Sequence, residues 1–384
     1  MSVSSSRRRL AGVALAAATC VVLGVASGAG STPLSVAPDG PGALSHFDLA
    51  RKDCLGTARN TTSRVWFTVA DGVLSDVYYP TIDNTNVETL QYIVTDGSTF
   101  TDLQTRDMTS TVRALDDSGM SCEVTSTPAS GKYTIVTDYV ADPRTDALLM
   151  KVAFRVDKKR TRNGNGDLRL YLRFDPTVNG NGGGGAGNGG ADSATTDTST
   201  GHPVLVASDP STATNAVNRD YAQPVYAALD APFAEATNGF AGTGSDGLTQ
   251  LDTSHALTTS YTTASNGNVV QTARVAGGNR HDGGDLEFTV ALGFGSSQAS
   301  AVQIAETALR DTFDRAQGES ERGWGAYDRT LNDPPRRLPG IDGRRAAALR
   351  DSYYVNANVL KASEDKTFPG AIVASMTSPW GQAI

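Results

Sequence analysis

The sequence predicts a mainly β fold, in which a large antiparallel β-sandwich is followed by helices. Alternating or β-branched runs separated by turn dipeptides fill residues 47–294, and no long helical pattern interrupts them. After Ser296 the pattern changes to Ala-rich segments with helical spacing. Because so many antiparallel hairpins must bury one face against another sheet, the strands predict a sandwich.

The hairpins are marked by Asp-Gly turns. Residues 64–69 run into Asp71-Gly72, and residues 73–79 run back. Asp-Gly supplies the positive φ angles that a type I′ turn requires. The sequence predicts a second turn of the same kind at Asp96-Gly97, between residues 90–94 and 99–103.

Two helical segments follow the strands. The first covers residues 299–331; Gly318, Gly323 and Gly325 are expected to interrupt it, and Asp333-Pro334-Pro335 to end it. The second covers residues 341–361. It carries one apolar stripe, formed by Leu349, Tyr353, Asn356 and Leu360. The stripe needs a partner surface, and the sequence offers no further helix to cover it.

The N-terminus has the anatomy of a secretory signal peptide over residues 1–29. Ser6-Arg7-Arg8-Arg9 precedes an apolar stretch over residues 10–25, and Ala26 or Ala29 fits a small-residue cleavage site. The arginine run also fits a twin-arginine signal. Both export routes remain open. The apolar stretch is short for a membrane span, so a secreted, extracellular protein without a membrane anchor is expected.

The cysteines agree with export. Cys20 lies inside the signal, which leaves Cys54 and Cys122. Two cysteines in an exported protein predict one disulfide between them, worth about 4 kcal/mol in the chain-entropy model. The alternative is two unpaired buried cysteines.

The charge and the motifs exclude several classes of function. A net charge of −8 without a basic stripe argues against nucleic acid as a partner. The glycine tract at residues 179–190 lacks the Lys-Ser/Thr of a phosphate loop and predicts a surface loop. Acidic loops at residues 83–86 and at Asp116-Asp117 lack EF-hand spacing, so no Ca²⁺ and no other cofactor is predicted. His255 and His281 carry no signal of a partner.

Four stretches of the sequence form a recognisable set: residues 63–80, 90–97, 322–327 and 353–375. These stretches resemble bacterial glucodextranases and glucoamylases, which are family 15 glycoside hydrolases. The resemblance implies a supersandwich related to the galactose-mutarotase-like fold over residues 40–296 and a helical linker over residues 297–338. It implies that residues 339–384 begin a catalytic (α/α)6 barrel, which is truncated here.

The resemblance also implies an activity. These enzymes act on α-glucan polysaccharides or oligosaccharides and release glucose from non-reducing ends with inversion, which needs two carboxyl groups about 6.5–9.5 Å apart. The glutamates of the family lie beyond the position that matches Ile384, so this chain alone is expected to be inactive. Glu364 and Asp365 are adjacent on a predicted helix end and are expected to be solvated.

The three tryptophans have different predicted roles. Trp380 is predicted to contact sugar, with packing between barrel and sandwich as the alternative. Trp66 is expected in the core, and Trp324 between the linker and the sandwich, where Gly323 and Gly325 would permit close approach.

Two alternative functions remain open by fold analogy: a secreted non-catalytic carbohydrate-binding module and a purely structural domain. The protein is expected to be a monomer, and α-1,6 and α-1,4 preferences both remain open.

Overall fold

The structure is a computed structural model that describes residues 35–44, 49, 51–161, 168–180, 192–212, 221–276, 278–281, 285–337 and 339–377. The described residues belong to one compact unit. The predicted signal peptide, the glycine tract from residue 181 onwards and Trp380 lie outside the described residues.

Strands dominate the described residues. They are β1 (Cys54–Thr57), β2 (Trp66–Ala70), β3 (Val73–Tyr78), β4 (Thr85–Thr95), β5 (Thr101–Leu103), β6 (Met108–Ala114), β7 (Cys122–Pro128), β8 (Tyr133–Ala141), β9 (Ala147–Val156), β10 (Arg169–Gly180), β11 (Asp192–Asp197), β12 (Val204–Asp209), β13 (Val225–Asp230), β14 (Phe233–Phe240), β15 (Thr263–Gly267), β16 (Val269–Val275), β17 (Asn279–His281) and β18 (Asp285–Gly295). The helices are α1 (Gln104–Asp107), α2 (Lys158–Thr161), α3 (Gly247–Ser254), α4 (Gln298–Asp311), α5 (Phe313–Asp328) and α6 (Gly343–Ala362).

The strands form two large antiparallel sheets that face each other, which confirms the predicted mainly β sandwich. The first sheet has the order β1-β2-β3-β4-β10-β16-β14, with β5 on β4. The second has the order β15-β11-β12-β13-β18-β9-β8-β7-β6, with β17 on β18. Buried aliphatic and aromatic side chains from both sheets form the core between them, and the ring of Tyr79 stacks on Phe294 at 5.2 Å between centroids.

Of the two predicted type I′ turns, one is confirmed and one is wrong. Asp71 and Gly72 have φ angles of 50° and 79°, as a type I′ turn between β2 and β3 requires. The chain at Asp96 instead forms a wider loop between β4 and β5. There the Asp96 Oδ1 accepts from the N–H of Ser98 at 2.9 Å and of Thr99 at 2.7 Å. The side chain of Asp96 therefore takes over part of the role that the backbone has in a tight turn.

Helix α4 packs on the outer face of the second sheet. Ser297 caps its N-terminus in a reciprocal capping box with Ser300. Ala301, Ala305 and Ala308 are buried against side chains of β9, β12, β13 and β18. A Cβ at Gly293 of β18 would lie 2.6 Å from the backbone N of Ala305, so the helix can approach the strand this closely only because the residue is glycine.

The predicted break points of the first helical segment are wrong. Gly318, Gly323 and Gly325 all lie within the continuous helix α5. The break falls at Thr312, whose φ of 69° separates α4 from α5. The bend lets Phe313 and Ala316 continue the buried cluster that α4 begins, so tertiary packing has placed the break.

Helix α6 matches the second predicted helix. Asp342 caps it by accepting from the N–H of Arg344 at 3.0 Å and of Arg345 at 3.1 Å. Of the predicted stripe, Leu349 is 49% exposed and Leu360 is 69% exposed, because α6 packs on the sandwich by its opposite face. Within the described residues, we find no helix with the length and apolar character to cross a membrane.

Cys54 and Cys122 form a disulfide. The bond joins β1 of the first sheet to β7 of the second, so it links the two layers of the sandwich covalently.

Candidate functional site

The residues after α6 cross the outer face of the first sheet, and we call residues 363–377 the C-terminal segment. Its Met376 and Val373 pack against Trp66, Tyr78 and Ile82. Trp66 is fully buried, which confirms its predicted place in the core. Its Nε1 donates to the Ala362 carbonyl at 2.9 Å. The apolar contacts and this hydrogen bond fix the end of α6 to the sandwich.

Two adjacent carboxylates begin the C-terminal segment. Asp365 is 5% exposed, so the prediction of a solvated helix end is wrong for this residue. Its Oδ2 accepts from the Ile82 N–H at 2.8 Å. Its Oδ1 accepts from the N–H of Thr367 at 2.7 Å and of Phe368 at 2.8 Å. Asp365 therefore joins the segment to the loop after β3.

Glu364 has partners of its own. It pairs with Lys361 and accepts from the Gly370 N–H at 2.8 Å. Neither carboxylate presents a free pair of oxygens to a substrate, and adjacent residues cannot flank one bond from opposite faces. The two carboxylates serve the local structure of the segment.

The side chain of Lys366, which belongs to the C-terminal segment, is partly buried against the end of β1 and the loop that follows it. Its Nζ donates to Thr57 Oγ1 at 2.6 Å and to the Ser63 carbonyl at 2.7 Å. It also lies 4.9 Å from the centroid of the Trp66 ring, in a cation–π contact. The pKa of Lys366 is lowered to about 7, mainly by burial; the charge of Arg59 also lowers it, while Asp146 and Asp365 oppose the shift. Nothing in the local sequence signals this environment.

Trp324 of α5 is buried, and its Nε1 donates to the Thr57 carbonyl at 2.9 Å. It packs with Met120 and Ala362, which confirms the predicted contact between the helical segment and the sandwich. The neighbouring glycines do not explain it, because a Cβ at Gly323 would make an ordinary contact of 3.4 Å with the Cβ of Arg59.

The predicted sugar contact, Trp380, lies outside the described residues. A different aromatic pair is exposed beside the C-terminal segment. Tyr221 and Phe368 are each 42% exposed, and their ring centroids are 5.2 Å apart in an edge-to-face arrangement. The Tyr221 hydroxyl donates to Asp83 Oδ2 at 2.5 Å. This pair could not be predicted from the sequence, because its members are far apart along the chain.

The two acidic loops are held by internal hydrogen bonds. The Asn86 Nδ2 donates to the Tyr79 carbonyl at 2.8 Å. Asp116 accepts from the Ser118 N–H at 2.9 Å and from Ser121 Oγ at 2.6 Å. In the part of the chain that the structure describes, no group of three or more His, Cys, Asp or Glu side chains is placed to hold a metal ion.

Two histidines have partners that the sequence did not predict. His255 ends α3 in a left-handed conformation, and its Nδ1 lies 2.9 Å from Thr101 Oγ1. His202 Nε2 lies 2.6 Å from Asp230 Oδ1. Burial raises the pKa of Asp230, while the hydrogen bond from His202 opposes that rise. The side chain of His281 lies outside the described residues.

Comparison with known proteins identifies the family to which the chain belongs. The family model described as "Glucodextranase, domain N" matches residues 37–329. The chain therefore belongs to this family, whose sandwich domains occur in glycoside hydrolases.

Two individual proteins are similar to the chain. Over 355 residues it is 30% identical to a glucoamylase of Clostridium sp. (strain G0005). The aligned region covers 90% of this chain and 43% of the glucoamylase. It is also similar to the crystal structure of a bacterial glucoamylase complexed with acarbose, with a TM-score of 0.75 and 29% identity over 90% of this chain and 46% of that one. The chain thus spans less than half the length of these relatives.

Proposed function

We propose that this chain is the N-terminal part of an exported, exo-acting α-glucan hydrolase of the glucoamylase or glucodextranase type, which releases glucose from non-reducing ends with inversion. One observation carries the proposal: the similarity to a glucoamylase covers 90% of the chain, whereas the sandwich family model ends at residue 329. The similarity therefore includes helical residues beyond the sandwich.

In this proposal the sandwich supports the first part of the catalytic domain. Trp66 holds the end of α6, Asp365 binds the loop after β3, and Lys366 binds the end of β1 and the loop that follows it. These contacts anchor α6 and the C-terminal segment to the rigid face of a sheet. Sites built on such rigid elements keep their geometry better than sites on loops.

The first test is the reading frame downstream of the Ile384 codon in genomic DNA. The proposal expects the frame to remain open through a Trp-x-Arg-Asp segment, which the resemblance implies for the innermost sugar subsite. It also expects two well-separated glutamates, which would supply the acid and the base of an inverting hydrolase. A stop codon directly after Ile384 would contradict it. Sequencing across this junction decides between the two.

The second test concerns the 384-residue chain itself. We expect no release of glucose, because Glu364 and Asp365 are occupied by Lys361 and by backbone N–H groups. The purified chain is incubated with dextran and with soluble starch, and glucose is measured by a coupled enzyme assay. A full-length glucoamylase serves as the positive control. Release of glucose by the chain above the substrate blank would overturn this part of the proposal.

Export is tested separately. Removal of a signal peptide predicts a mature protein that begins near residue 30 and is found in the culture medium. Mass spectrometry of the N-terminal peptide measures the cleavage site. A chain that keeps Met1 and stays inside the cell would contradict export without bearing on the hydrolase proposal.

A second candidate function is glycan binding by the sandwich itself, and the exposed pair Tyr221 and Phe368 favours it. Exposed aromatic rings offer apolar faces on which sugars can stack. Affinity electrophoresis in gels that contain dextran or starch tests this candidate, with Phe368→Ala as the variant and Leu349→Ala, on the exposed stripe of α6, as the matched control. Binding by this pair predicts retardation that Phe368→Ala alone reduces. Unretarded migration of the wild-type chain would exclude the candidate.

A further inference from the structure

A small cavity separates the loop after β1 from the C-terminal segment. Its volume is about 130 Å³. Three basic residues contribute to its lining: Arg59 from the loop, Lys361 from the end of α6 and Lys366 from the segment. Trp324 covers one side, and Glu364 and Asp365 also contribute. The cavity thus brings together basic side chains from two distant parts of the chain, the loop after β1 and residues 361–366.

The carboxylates beside the cavity are already engaged. Glu364 pairs with Lys361, and both oxygens of Asp365 accept backbone N–H groups. Asp146, whose charge also acts on Lys366, is paired with Arg64 at 2.6 Å. None of these groups is left to balance Arg59.

Arg59 is the group without an ionic partner. Within the described ranges, no carboxylate lies at ion-pair distance from it, and its buried Nε has no hydrogen-bond partner. Its guanidinium instead lies 4.7 Å from the centroid of the Tyr327 ring. A buried donor left unsatisfied costs free energy that a bound acceptor would recover.

The positive charge of Arg59 also affects the pKa values of the two neighbouring lysines. Burial lowers the pKa of Lys361, and the charge of Arg59 lowers it further. The same two causes act on Lys366. Two of the Lys366 protons are donated to Thr57 and Ser63, which leaves one for a further acceptor.

We propose that this cavity binds a small oxyanion, held by Arg59 and Lys366, which connects the loop after β1 to the C-terminal segment. The Nε and one Nη of a guanidinium form a fork that matches two oxygens of a carboxylate, sulfate or phosphate. The size fits, because an engineered cavity of about 150 Å³ holds a benzene molecule. A small inorganic oxyanion and a compact carboxylate share the required chemistry.

The test measures sulfate and acetate binding to the full chain by isothermal titration calorimetry and by thermal unfolding, with chloride at equal ionic strength as the reference. Sulfate stabilises many proteins by exclusion from their surface, so the comparison rests on variants. Arg59→Gln removes the fork. Arg344→Gln removes the same charge from an exposed position on the first turn of α6 and is the matched control.

We expect the wild-type chain and Arg344→Gln to bind at least one of the two anions with equal affinity, and Arg59→Gln to bind it about tenfold more weakly or worse. Arg59→Lys, which keeps the charge without the fork, is expected to lie between them. Binding of sulfate assigns the site to an inorganic oxyanion, and binding of acetate alone assigns it to a carboxylate. Equal binding by Arg59→Gln and the wild type, or no binding of either anion beyond the chloride reference, would overturn the proposal.

A second readout reports on Lys366. An anion placed beside its amine raises the pKa of that amine, so sulfate binding at about pH 8 is expected to take up protons. Calorimetric titrations in two buffers with different enthalpies of ionisation measure the uptake. Proton uptake in the wild type and its loss in Lys366→Met support the assignment, and binding without proton uptake would exclude Lys366 as a partner of the anion.

Discussion

Lys366 occupies a place where protein groups replace water around an amine. Two oxygen acceptors and the face of Trp66 surround its Nζ. Burial favours the neutral form of a lysine and therefore lowers its pKa, here to about 7. The charge of this one residue is consequently linked to the docking of the C-terminal segment.

This linkage predicts a pH dependence of stability. Between about pH 7 and pH 10 the unfolded chain keeps the proton on Lys366 while the folded chain releases it, so the free energy of unfolding rises with pH by at most about 1.4 kcal/mol per unit. Urea unfolding of the wild type and of Lys366→Met, in chloride buffers from about pH 6 to pH 9, measures the effect. The difference between the two proteins is expected to be constant below about pH 7 and to shift in favour of the wild type above it. A difference that does not vary with pH would contradict the prediction.

The local sequence predicts the environment of some of these residues but not of others. The alternating pattern of its strand predicts a core position for Trp66, which is a large apolar residue. The environment of Lys366 was not predictable, since Ser63 lies 303 positions away along the chain. The same is true of Asp365, which looks like a solvated residue until Ile82 is seen beside it.

At the scale of elements, the contact between α4 and β18 depends on small residues. Gly293 faces the backbone of the helix directly, with Ala301 O 2.8 Å and Ala305 N 2.6 Å from the position of a Cβ. Backbone atoms cannot rotate away as the end of a side chain can. Any side chain at this position must therefore move the whole helix.

Gly293→Ala is expected to lower the free energy of unfolding by about 1–3 kcal/mol, the usual cost of overpacking a core. Gly325→Ala is the matched control, because its Cβ would meet only the flexible end of Arg329 at 3.7 Å and it lies in helix α5. That variant is expected to gain about 0.5–1 kcal/mol through helix propensity. Urea unfolding measures both. Equal effects of the two substitutions would show that the contact at Gly293 is not tight.

Elements were predicted well where the local sequence sets their geometry. Asp71-Gly72 requires positive φ at both positions, and Asp342 caps α6 from its own side chain. The local sequence does not predict the break at Thr312, because the packing of Phe313 and Ala316 on the second sheet determines its position. The glycines of α5 were weak local signals, and a helix supported by a sheet tolerates them.

At the scale of the whole molecule, the disulfide between Cys54 and Cys122 joins the two sheets. It closes a loop with a sequence separation of 68 residues. In the chain-entropy model a loop of this length stabilises the fold by about 4 kcal/mol. This bond acts on the fold as a whole because it restricts the unfolded chain.

The double variant Cys54→Ser, Cys122→Ser is therefore expected to unfold at a lower guanidinium concentration, with a loss of about 4 kcal/mol. A reducing agent is expected to bring the wild type to the same midpoint, and to leave the double variant unchanged as its control. An unchanged midpoint after complete reduction, verified by thiol titration, would contradict this account.

The sandwich and α6 are expected to unfold together. Trp66 bonds to Ala362 and Trp324 bonds to Thr57, so the helices and the first sheet share buried partners. Thermal unfolding followed by far-ultraviolet circular dichroism and by tryptophan fluorescence is expected to give one coincident transition. Two separated transitions would show that α6 is an independent unit.

The hydrogen bond between Trp66 and Ala362 also has a consequence for biosynthesis. Its two partners are 296 residues apart. At about 5–20 residues per second, a ribosome needs about 15–60 s to make the intervening chain. Until Ala362, Val373 and Met376 have been made, the apolar patch of Trp66, Tyr78 and Ile82 lacks the residues that cover it in the fold. We expect chaperones to bind a growing polypeptide with such a patch. Slow synthesis would lengthen the time during which the patch can associate with other chains.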